Sequence, residues 1–142
     1  MKKVFILFLF LFSLSGFTEP KVKWISLEEA QNFTLEQSKP ILIDFTADWC
    51  GWCKVMDKKT FSDQSVATYM NEKFYTVKLD YDSTEKLNFF GEQLTARELG
   101  EKYRVSGLPT ILLLSSDSKK SKKLVGYKTP EPFLKSLKAA KL

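Results

Sequence analysis

Cys50 and Cys53 are the chain's two cysteines, set in the stretch Ala47-Asp48-Trp49-Cys50-Gly51-Trp52-Cys53-Lys54, and the chain has no histidine. A dithiol this closely spaced can close into a disulfide and open again. The missing histidine removes the rival chemistries. A structural zinc site takes about four thiolate or imidazole ligands, and a Cys–His nucleophile pair needs an imidazole. Neither a metal nor a cofactor is expected.

Asp44 is the second residue whose type and place suggest chemistry. It interrupts the run Ile41-Leu42-Ile43-Asp44-Phe45-Thr46, which has the unbroken apolar pattern of a strand covered on both faces. A carboxylate there is costly unless it is paired or neutral. It reads either as a raised-pKa base that exchanges a proton with Cys53 or as a partly exposed acid at a strand end.

The elements that must position these residues follow from local patterns. Cys50 falls where the strand gives way to a helix carrying Cys53, Met56 and Thr60. The free N–H groups and positive end of that helix favour a thiolate. A Cys-x-x-Cys on a first helical turn brings the second sulfur within reach of the first. Cys50 is therefore expected as the exposed nucleophile and Cys53 as the buried resolver. As an inert staple the pair would close too short a loop to constrain the unfolded chain much.

Ser26-Leu27-Glu28-Glu29 is a capping box that opens a helix to about Ser38, and Lys39-Pro40 stops it. Ser62-Asp63-Gln64-Ser65 caps a further helix bearing Val66, Tyr69 and Met70, and Phe74 to Leu79 reads as a strand. A polar stretch from Asp80 to Gln93 contains Phe89-Phe90-Gly91, read as a partner-contact lip or as the inner side of an extra helix. Thr95-Ala96-Arg97-Glu98 is a second capping box. Strands at Thr110–Leu114 and Leu124–Tyr127 flank a turn, and Thr129-Pro130 starts a last helix with Phe133, Leu134 and Leu137 inward. Strand–helix–strand units give parallel pairing and the closing hairpin antiparallel pairing. The fold class is thus α/β, three layers with a central mixed sheet between helices.

At 142 residues and 44% apolar composition, the chain suits one folded domain. Lys2 and Lys3, an apolar run from Val4 to Phe12, and small residues to Gly16 form an export signal. Residues 1–16 are accordingly expected as a signal peptide cleaved near Ser15 or Gly16, residues 17–23 as a linker, and 24–142 as the domain. The alternative is an uncleaved N-terminal anchor. Export places the dithiol in an oxidising compartment such as the periplasm. Lys119, Lys120, Lys122 and Lys123 form a solvated hairpin tip with no aromatic residues among them, so no nucleic-acid partner is expected.

The segment Ile43-Asp44-Phe45-x-Ala47-x-Trp49-Cys50-Gly51-x-Cys53-Lys54 resembles the active-site segment of thioredoxins, and Gly107-Leu108-Pro109-Thr110 resembles their cis-proline loop. The resemblance implies a thioredoxin fold and a thiol–disulfide oxidoreductase acting on protein disulfides. It implies that Pro109 is cis and faces the disulfide, that the backbone of Leu108 pairs with an extended substrate, that Lys78 partners Asp44, and that Trp49 packs beside the site. Gly51 and Trp52 complete the substrate-facing set.

The chain departs from ordinary thioredoxin at Trp52, where a proline is usual, and in the long 80–93 segment. In the Phe61-Ser62-Asp63 turn after the cysteine helix, in its leader and in the Gly107-Leu108-Pro109-Thr110 loop, it looks more like exported thioredoxin-like domains such as the C-terminal domain of the membrane reductant carrier DsbD. A reductase is the favoured direction, with a membrane electron donor and clients such as apocytochrome c. An oxidase or isomerase, or a non-catalytic adaptor of the same fold, remains open. A monomer is expected.

Overall fold

Strand β2 (Ile41–Thr46) is buried from Ile41 to Phe45 because its apolar side chains meet a layer on each side. The computed structural model describes residues 18–142, so the expected signal peptide and its cleavage point lie outside the described residues. Around β2 the chain runs β1 (Trp24–Ile25), α1 (Leu27–Glu36), β2, α2 (Gly51–Lys59), α3 (Gln64–Lys73), β3 (Tyr75–Asp80), β4 (Leu87–Phe89), β5 (Glu92–Leu94), α4 (Ala96–Lys102), β6 (Thr110–Leu114), β7 (Ser121–Val125) and α5 (Pro130–Lys138).

The main sheet has the order β1-β3-β2-β6-β7. β1 and β2 lie parallel to β3, while β6 is antiparallel to both β2 and β7. Side chains alternate across a strand, and the two cores divide accordingly. Ile41, Ile43 and Phe45 of β2 pack with Leu27, Ala30, Phe89, Ala96 and Leu99, so α1, α4 and the β4–β5 hairpin cover one face. Leu42 packs with Met56, Val66, Met70, Phe133 and Leu137, so α2, α3 and α5 cover the other. Asp44 has the parity of Leu42, and Lys78 of β3 is its register partner. Both therefore belong to the face covered by α2.

The expected helix starts hold. Ser26 with Glu29, and Thr95 with Glu98, form reciprocal capping boxes. The Asp63 side chain accepts from the N–H groups of Ser65 and Val66. Thr129 occupies the N-cap of α5, but its side chain makes no capping bond and Pro130 alone sets the start.

Three local readings change. The 80–93 segment, for which an extra helix was one reading, is the two-stranded β4–β5 hairpin: Phe90 and Gly91 turn the chain with φ of 48° and 94°. Phe89 points into the core while Phe90 stays half-exposed. The last strand begins at Ser121, because Ser121 already pairs with Leu114, and ends at Val125. Its lysines suit an edge strand. Finally, the chain is tied down from Lys21 onward within the stretch read as linker. Asn71 accepts from the Lys23 N–H and donates to the Lys21 carbonyl, and Val22 packs against the α2-side core.

Candidate active site

Cys50 is the N-cap of α2, with φ −80° and ψ 95°, and its Sγ accepts the Cys53 N–H at 3.2 Å. Gly51 and Trp52 are the first two residues of α2, and no acid stands in that first turn. The free N–H groups there supply the positive end that favours a thiolate on Cys50. The two cysteines are joined in a disulfide, their Cα atoms 5.3 Å apart. Both are buried, at 4% and 3% exposure, in one cluster with Ala47 and the side chain of Leu108. The expected contrast between an exposed Cys50 and a buried Cys53 is therefore absent in the closed form. Leu108 and Ala47 pack in one cluster with both cysteines.

The Leu108–Pro109 peptide bond is cis, as the resemblance implied. Two hydrogen bonds hold this loop: the Gly126 N–H donates to the Pro109 carbonyl at 2.9 Å, and Thr110 Oγ1 donates to the Gly107 carbonyl at 2.7 Å. Gly126, with φ 79°, makes the turn that allows the first of these.

On the face of β2 covered by α2, Asp44 is 2% exposed. Lys78 Nζ reaches its Oδ2 at 3.0 Å, the pairing expected from the resemblance. Burial pushes the Asp44 carboxyl up to about 6, against the pull of Lys78 and with a smaller push from Asp57. Asp57 was not legible as a site residue. It stands one helical turn after Cys53 on α2 and also pairs with Lys78 Nζ. Lys78 is further held over the Trp24 ring, 4.6 Å from its centroid, and 5.2 Å from that of Phe61.

Two tryptophans flank the dithiol and both are exposed, Trp49 at 69% and Trp52 at 61%. Trp49 directly precedes Cys50 and lines one cavity with Leu108. Its Nε1–H donates to Asp82 Oδ2 at 2.6 Å, and Arg97 pairs with the other oxygen of Asp82. Trp52 stacks on Tyr127 with ring centroids 5.3 Å apart. Sequence reading missed Asp82, Arg97 and Tyr127. The one signal for Tyr127 was an aromatic residue just past a glycine turn. Among the described residues no cluster of acids and cysteines could hold a metal ion, and no helix is long and apolar enough to cross a membrane.

A redox-capable dithiol at a helix start, a buried acid on the strand that leads to it and a cis-proline loop whose Leu108 packs against it define a thiol–disulfide exchange site on a thioredoxin fold. The chain belongs to the thioredoxin-like domain family, whose model matches residues 27–141, and with it to the thiol–disulfide oxidoreductases of that fold. It is 36% identical over 96 residues to the thiol:disulfide interchange protein DsbD of Photorhabdus laumondii, covering 68% of this chain and 15% of that one. The chain thus spans less than a fifth of the length of the DsbD relatives it matches. Among solved structures, the oxidoreductase DsbH superposes with TM-score 0.70 at 20% identity, over 91% of this chain and 90% of that one. The oxidised C-terminal domain of Neisseria meningitidis DsbD superposes with TM-score 0.60 at 24% identity, over 82% and 97%. At those identities the two superpositions establish the fold.

Proposed function

We propose that the protein is an exported protein-disulfide reductase working through Cys50 and Cys53. The reduced dithiol is the active form. Cys50 thiolate attacks one sulfur of a client disulfide, forming a mixed disulfide and releasing the client's other sulfur as a thiolate that takes up a proton. Cys53 then gives its proton to the Asp44 carboxylate and attacks Cys50 Sγ. The bond to the client breaks, its second thiolate leaves, and the protein is left with the Cys50–Cys53 disulfide. Two electrons have passed to the client. A membrane electron donor restores the dithiol, and apocytochrome c or other exported proteins are the clients.

The observation that carries this reading is Asp44: a carboxyl pushed up to about 6, on the strand that leads through Ala47 to both cysteines. A carboxylate near that value can both accept and return a proton at neutral pH. The reductive direction is supported by the absence of histidine, because no imidazolium stands between the cysteines to stabilise the Cys50 thiolate. Similarity to the thiol:disulfide interchange protein DsbD supports an exported setting and a membrane donor.

Reduction of insulin disulfides by the dithiol form, alongside Cys50→Ala, tests the chemistry. Full activity in the variant removes the proposed nucleophile, whereas no activity in the parent dithiol form would leave a binding adaptor. The redox potential tests the direction. A value near or below about −230 mV fits a reductase, and one near about −120 mV, typical of a strong thiol oxidant, overturns it.

A further inference from the structure

Beside the dithiol lies a cavity of about 270 Å³ walled by Trp49, Tyr81, Val105 and Leu108, with Arg97, Ser106 and Gly107 completing its lining. We propose that this cavity receives the side chain next to the reactive cysteine of a client polypeptide, that it takes an apolar or aromatic one, and that Arg97 excludes lysine and arginine from it.

Position comes first. Leu108 belongs both to this lining and to the cluster that holds Cys50 and Cys53. Trp49 directly precedes Cys50. A client sulfur engaged by Cys50 therefore has its neighbouring residue within reach of the cavity.

Chemistry comes second. An indole, a phenol ring and two aliphatic side chains make up most of the wall, so an apolar occupant removes their apolar surface from water. The Trp49 indole N–H and the Arg97 guanidinium of the lining already share one carboxylate. Asp82 accepts the Trp49 Nε1–H on one oxygen and pairs with Arg97 on the other. The Arg97 guanidinium lies 4.7 Å from the Tyr81 ring centroid. An incoming ammonium or guanidinium would meet the positive charge of Arg97 at close range while Asp82 is already engaged, and like charges there repel. Gly100 allows the wall to close. A Cβ there would fall 2.5 Å from Tyr81 Cε2, so only glycine lets the Tyr81 ring lie against α4 in this way.

Arg97 is thus a specificity-determining residue, and Asp82 a positioning residue that acts through Trp49. Both reach the site because the β4–β5 hairpin separates them in sequence and returns the chain to it at α4.

The inference rests on thiol–disulfide exchange at Cys50 but not on its physiological direction. Its test uses short peptides that differ only in the residue following their cysteine (Phe, Leu, Ala, Glu or Lys). Each peptide is joined as a mixed disulfide to a chromophoric aryl thiol. The reduced protein attacks the peptide sulfur, and the aryl thiolate released is read as kcat/KM. The Phe peptide should exceed the Ala peptide by about tenfold, the scale of pocket discrimination between apolar side chains, and the Lys peptide should fall several-fold below Ala. In Arg97→Gln, which can still donate to Asp82, the Lys peptide should rise to the Ala level while the Phe preference stays. Equal rates across the series would overturn the pocket alone, as would an Arg97→Gln loss of the same factor for every peptide, the mark of a merely structural role. Release from none of the peptides would contradict exchange at Cys50, and the pocket with it.

Discussion

Lys78 and Asp44 face each other in register across β2 and β3, Nζ to Oδ2 3.0 Å, with Asp57 of α2 on the same ammonium. One half-buried cation therefore serves two carboxylates, one buried on the central strand and one half-exposed on the cysteine helix. This arrangement ties the buried acid of the central strand to the element that carries Cys53.

The buried acid should cost stability at neutral pH. Its carboxyl titrates at about 6 in the folded chain against 3.8 for an ordinary aspartate, so the native state holds the proton more tightly. Stability therefore falls as pH rises between those values and stays low above the upper one. The difference corresponds to about 3 kcal/mol as an upper figure. Asp44→Asn should raise the Tm at pH 7, with the gain shrinking as pH falls toward 4. A Tm at pH 7 equal to or below that of the parent would contradict the burial argument.

The same acid should control resolution of the mixed disulfide. Release of a client thiol from Cys50 should quicken as pH rises through about 6, as Asp44 becomes the carboxylate that accepts the Cys53 proton. Asp44→Asn should lose that inflection and slow release near neutral pH by about a hundredfold, the scale of one general base. Rapid-quench kinetics over pH 5 to 8 would show it, and an unchanged release rate would remove the proton-transfer role.

Lys78 and Asp57 should shift that inflection in opposite directions. Lys78→Met removes the cation that holds the Asp44 carboxyl down, so the inflection moves above 6 by about one unit or more. Asp57→Asn removes an anion that pushes it up, so the inflection moves below 6. The same pH series reads both, and shifts of the same sign would contradict the shared-cation geometry.

The hairpin makes a separate prediction about stability. Phe89 is 3% exposed and meets Tyr103 edge-on at 6.0 Å between centroids, whereas Phe90 is 44% exposed. Phe89→Ala should cost about 3–5 kcal/mol by denaturant unfolding. Phe90→Ser should cost less than about 1 kcal/mol.

These residues also show where the sequence was readable. β2 was legible because a run of apolar residues long enough for a strand is rarely anything else between a proline and a cysteine motif. The capping boxes at Ser26 and Thr95 were legible because their geometry is local. The hairpin was not: its inward residues, Leu87 and Phe89, are too few to establish a period, and the turn at Phe90-Gly91 puts a non-glycine residue at positive φ. β1 was missed because two residues carry no pattern at all. Within the site, the dithiol, the buried acid and the proline loop each carry a local signature. Asp57, Asp82 and Arg97 carry none. Each reads as an ordinary surface charge until the fold brings Lys78 to the first and Trp49 to the pair. The exposure of Cys50 was misjudged because Leu108, distant in sequence, packs against the closed disulfide.

The most direct measurement is a reciprocal trap. Cys53→Ala, reduced and mixed with a disulfide-bearing client, should accumulate a mixed disulfide on Cys50 that non-reducing electrophoresis and mass spectrometry resolve. Cys50→Ala should accumulate none. Trapping on Cys53 in the Cys50→Ala variant, or no adduct on Cys50 in Cys53→Ala, would contradict the assignment of nucleophile and resolver on which the account rests.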